Sequence, residues 1–82
     1  MIRIEIYAVL KGERFIVETE ESMGCKRFAE GLRILLSEED RGILMNCDPV
    51  GIIPEEGALM DYGIRSGALL LFIGGTIMRS II

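Results

Sequence analysis

A turn that feeds directly into a buried strand constrains this chain most. Leu59-Met60-Asp61-Tyr62-Gly63-Ile64 passes through Arg65-Ser66-Gly67-Ala68 into the apolar run Leu69-Leu70-Leu71-Phe72-Ile73. Leu59 and Ile64 anchor the two ends of the turn. Asp61 has a short carboxylate suited to accepting local backbone N–H groups. Tyr62 brings a ring to bury and a hydroxyl that then needs a partner. Gly63 permits a positive φ that a Cβ would penalise. Five apolar residues in a row after such a turn predict a last, buried strand, delivered by one compact turn.

The rest of the chain supplies further strands and a helix. Ile2, Ile4, Ile6, Ala8 and Leu10 alternate with Arg3, Glu5, Tyr7 and Val9, which predicts a half-buried strand. Lys11-Gly12-Glu13 reads as a hairpin turn, and a second strand runs from about Arg14 to Glu20 with Phe15, Val17 and Thr19 facing inward. Ser22 is the candidate N-cap of a helix. Cys25, Phe28, Ala29, Leu32, Leu35 and Leu36 then recur at helical spacing, opposite Lys26, Arg27, Glu30 and Arg33, until about Ser37. Gly31 inside that helix suggests close packing or a soft spot. Ile43 to Cys47 is a third strand and Val50 to Ile53 a short fourth, joined by Asp48-Pro49. The order strand, strand, helix, strand, short strand, strand predicts an α+β domain. One helix lies across a mixed sheet of four to five strands.

Composition narrows function mainly by exclusion. In 82 residues there is room for one small domain, which buries little more than about 60% of what its unfolded chain exposes. Half of the residues are apolar, more than one such core needs, so some belong on a surface, in a partner site or in a docked tail. The net charge of −4 and the scatter of nine Lys and Arg argue against nucleic acid and against a polybasic lipid anchor. Met1 leads straight into a strand pattern, so no signal peptide is expected, and the apolar run from Ala68 to Met78 is too short to insert across a bilayer. Cys25 and Cys47 stand 22 apart without His, which predicts free thiols in a reducing, cytoplasmic setting and no metal or other cofactor. Cys25, on the apolar stripe, reads as a core residue. Glu38-Glu39-Asp40 and Glu55-Glu56 read as solvated loop charges, and Ser22, Ser37, Ser66 and Ser80 have no His to activate them. The expectation is therefore a protein that is not an enzyme.

The element order and the Leu59–Ile64 turn resemble the ubiquitin-like (β-grasp) superfamily, in which a Leu-x-Asp-Tyr-x-Ile turn precedes the final strand. The resemblance covers residues 1–75, leaving 76–82 as an apolar C-terminal tail. Within the superfamily, the small acidic chain looks most like the YukD/EsaB family of bacterial type VII secretion accessory proteins, which carries no catalytic residues to transfer. The resemblance implies a protein partner such as a membrane component of a secretion apparatus. Aligned on the turn, Ile64, Leu70 and Phe72 point into the core, while Leu69, Leu71 and Ile73 take the opposite sheet face. Leu44, set beside an inward Ile43, is assigned to that outer face too, and the four become the candidate partner-binding residues. Self-association through this face or through the tail is a further expectation.

Gly74-Gly75 has two readings. As a hinge, it lets the strand end and Thr76-Ile77-Met78-Arg79-Ser80-Ile81-Ile82 turn away. As the activated end of a ubiquitin-like modifier or sulfur carrier, it requires removal of those seven residues first, and it lacks the extended polar tail of conjugating modifiers.

Overall fold

A computed structural model describes residues 1–36, 42–47 and 50–73. Strands β1 (Ile2–Ala8) and β2 (Glu13–Thr19) form an antiparallel hairpin, with Ile4 opposite Val17 and Ile6 opposite Phe15. Helix α1 (Cys25–Leu35) follows, then β3 (Ile43–Cys47), β4 (Val50–Ile53), a single 3-10 turn over Leu59–Tyr62, and β5 (Leu69–Ile73). The strands form one sheet in the order β2-β1-β5-β3-β4, in which β5 lies parallel to β1 and antiparallel to β3. The last described strand therefore fills the centre of the sheet. Leu70 and Phe72 face the core, while Leu69, Leu71 and Ile73 are half-buried between the neighbouring strands on the other face.

The core lies between α1 and one face of the sheet. Cys25, Phe28, Leu32 and Leu36 pack with Ile4, Ile6 and Ala8 of β1, Leu44 of β3, Ile53 of β4, Leu70 and Phe72 of β5, and Leu59 and Ile64 of the turn. Phe15 and Val17 of β2 lie against the same cluster.

Several local expectations change. The strand pattern stops at Ala8, before Leu10, because the chain turns over Val9–Gly12 and the Gly12 N–H donates to the Ala8 carbonyl at 2.8 Å. Ser22 does not cap the helix: Gly24 occupies that position with no side-chain bond. The Cys25 N–H instead donates to the Gly57 carbonyl at 2.9 Å, and the Leu59 and Met60 N–H groups donate to the carbonyls of Met23 and Glu21. A backbone ladder from a segment more than thirty residues away thus replaces the local cap. Leu35 is 62% exposed, and Leu36, on the line of Cys25, Phe28 and Leu32, is the buried residue. Gly31 faces solvent with nothing within 4 Å of where a Cβ would sit, so close packing is not its reason.

The largest correction concerns Leu44. It is only 4% exposed and lies in the core, opposite Phe72 on one side and Ile53 on the other. Ile43 and Met45 take the outer face. A shift of one residue in the assignment of a strand exchanges its two faces. Ile43-Leu44-Met45 is apolar throughout, so its parity is not visible in the sequence.

Candidate docking surface

The turn over Leu59–Tyr62 aligns β5 against its neighbours. The Ala58 N–H donates to Asp61 Oδ2 at 2.8 Å, and the Tyr62 hydroxyl donates to the Glu56 carbonyl at 2.7 Å. Gly63 closes the turn at φ 73°, in the left-handed region expected of it. The chain then runs alongside β1. The Arg3 N–H donates to Ser66 Oγ at 3.0 Å, the Gly67 N–H to the Arg3 carbonyl, and the Glu5 N–H to the Ala68 carbonyl. Ser66 thus has a structural role. Partial burial pushes the Tyr62 phenol up, reinforced by the negative charge that Cys25, Glu56 and Asp61 carry when ionised. Burial, followed by the Asp61 charge, raises the Cys25 thiol above its ordinary range. A protonated, buried thiol is a poor nucleophile and a poor metal ligand. Among the described residues, no group of three or more His, Cys, Asp or Glu is placed to hold a metal ion, and the two cysteines are free.

Register fixes the outer face of the sheet. Tyr7 stands opposite Leu71, Leu71 opposite Met45, and Met45 opposite Ile52, one row across four strands. Ile43 stands opposite Ile73, and Cys47 opposite Val50. Leu69, Leu71 and Ile73 are half-buried, on the face opposite the buried Leu70 and Phe72. Val50 is 79% exposed and Ile52 65%. No element among the described residues covers this side.

The face divides in two along its width. Over β5, β3 and β4 it is apolar at every outward position. Over β1 and β2 it carries charge: Arg3 pairs with Glu18 at 3.7 Å, and Arg14 with Glu5. Of the residues expected on the face, Leu69, Leu71 and Ile73 lie together there, Leu44 does not, and Gly74, Gly75 and the tail lie outside the described residues. Ile43, Met45, Val50 and Ile52 were missed. The parity of Val50-Gly51-Ile52-Ile53 was open to reading only once Ile53 was known to be buried.

No family model and no curated sequence matches the chain. Solved structures do. A de novo designed protein based on ubiquitin superposes with a TM-score of 0.73 at 15% identity, covering 87% of this chain and 84% of the design. The fold is a ubiquitin-like β-grasp, in which a mixed five-stranded sheet packs against helix α1. No helix among the described residues is long and apolar enough to cross a membrane.

Proposed function

We propose that this protein is a non-catalytic ubiquitin-like docking module that works in the cytoplasm as an accessory or regulatory component of bacterial type VII secretion, in the manner of the YukD/EsaB family. The observation that carries the reading is the continuous apolar face made by Leu69, Leu71 and Ile73 of β5 with Ile43, Met45 and Ile52 beside them. Among the described residues nothing covers this face, and a large exposed apolar patch marks an interaction site. The partner is a protein that presents a matching apolar surface, such as a membrane component of the secretion apparatus.

The test measures binding of the full chain to the purified cytoplasmic portion of that component. Leu71→Ser is expected to weaken binding at least tenfold, on the order of 1.4 kcal/mol, while the thermal melt stays cooperative. Equal affinity of Leu71→Ser and the unaltered chain would sink the reading. The alternative, a modifier or sulfur carrier activated at Gly75, predicts instead an intact mass trimmed to Gly75 in the native host.

A further inference from the structure

We propose that the open edge of β2 pairs with the same edge of a second copy of this chain, antiparallel and centred on Ile16, to make a ten-stranded sheet. Among the described residues, strand β2 ends the sheet and is paired to β1 on one side only. It runs seven residues, Glu-Arg-Phe-Ile-Val-Glu-Thr, with neither Pro nor Gly to blunt it. The opposite edge, β4, is four residues long, holds Gly51 and is followed by Pro54.

The sequence of β2 is self-complementary about Ile16. A two-fold axis through the Ile16 pair sets Arg14 opposite the second copy's Glu18, and Glu18 opposite its Arg14, all on the outer face. Phe15 meets the second copy's Val17 on the core face. Opposite charges facing across strands are stabilising, and a closed dimer needs one patch complementary to itself. The existing pairs extend rather than compete. Arg3 already meets Glu18, and Glu18 would then meet the second copy's Arg14, so positive and negative groups alternate across the seam. Neighbouring registers match less well. Centring on Val17 keeps an opposite-charge pair, Arg14 against Glu20, but sets Ile16 against Glu18 and Glu13 against Glu21, while centring on Phe15 places Glu13 against Val17 on the core side.

Two exposed groups support the same seam. Ile16 is 58% exposed between Arg14 and Glu18 on the outer side of β2, and its symmetry mate would cover it. Beside β2, Val17, Met23, Phe28, Leu32 and Leu35 line an apolar groove against α1 that opens at the same edge. The seam lies at the far side of the sheet from β3 and β4, so the face assigned above to a partner stays open in the dimer.

The test is sedimentation equilibrium on the full chain and on two single variants. The unaltered chain is expected to be a reversible dimer, with Arg14→Glu and Glu18→Arg each weakening it at least tenfold. An equimolar mixture of the two variants should dimerise again, because each then faces its opposite charge at both positions. Circular dichroism checks that each variant is folded. Should either variant unfold, Ile16→Cys on a Cys47→Ser background gives the second measurement: mild oxidation should link it to itself across the two-fold axis, and Glu13→Cys should not link. A monomeric unaltered chain at millimolar concentration would overturn the proposal. So would a mixture of folded variants that stays monomeric, or an Ile16→Cys chain that does not cross-link. A dimer that survives both charge variants but dissolves in Leu71→Ser would move self-association to the apolar face and overturn it as well.

Discussion

Cys25 shows how much environment alters a single side chain. The thiol is 1% exposed at the start of α1, where a helix N-terminus by itself would favour the thiolate. Burial and the nearby Asp61 charge act the other way, and the raised pKa shows that they win. At neutral pH the group is a protonated core residue, as its place on the apolar stripe suggested. Iodoacetamide at neutral pH should therefore modify the half-buried Cys47 first and reach Cys25 only at the rate of unfolding, which peptide mass mapping checks. The linkage has a definite sign. A group whose folded pKa is raised contributes stability below its ordinary range and loses it as pH climbs through the folded value. Tyr62 is raised as well, so its contribution fades in the same direction. Stability measured by urea should fall as pH rises through the ordinary thiol range and beyond, and Cys25→Ala should flatten the first part of that fall.

Among the elements, the turn over Leu59–Tyr62 is the one whose shape its own residues specify. Asp61 accepts a bond from Ala58 three residues back, Tyr62 reaches Glu56 six residues back, and Gly63 supplies the positive φ. All three were legible because each is a short-range property of a residue type. Tyr62→Phe keeps the ring and removes the hydroxyl bond, so it should lower the urea midpoint without changing the slope. Asp61→Ala should lower it similarly by leaving the half-buried Ala58 N–H without its acceptor. The start of α1 shows the contrary case. Ser22 had the chemistry of a cap, yet the helix begins at Cys25 with its N–H bonded to Gly57, a partner that no local pattern could reveal.

The described residues of the molecule form one sheet with a covered face and an open one, and the organisation depends on which residues take which face. Leu44 and Leu71 are both leucines on strands next to one another, and they belong to opposite sides. Leu44→Ala should cost about 2–5 kcal/mol because it leaves a hole under α1. Leu71→Ser should cost less than half as much, since its side chain is already half in water; chemical denaturation of the two variants distinguishes them. Equal losses would mean that the outer face is structural rather than free for docking. The element order, the strand alternation of β1, the helical stripe from Cys25 to Leu32 and the turn before β5 were all legible in the chain, because each follows from spacing and residue type within a few positions. The faces of β3 and β4, the true start of α1 and the division of the outer face into apolar and charged halves emerge only once the strands have paired. Those depend on register between strands distant in the chain, and in a run as uniformly apolar as Ile43-Leu44-Met45 the pairing with β5 alone sets which side meets the helix.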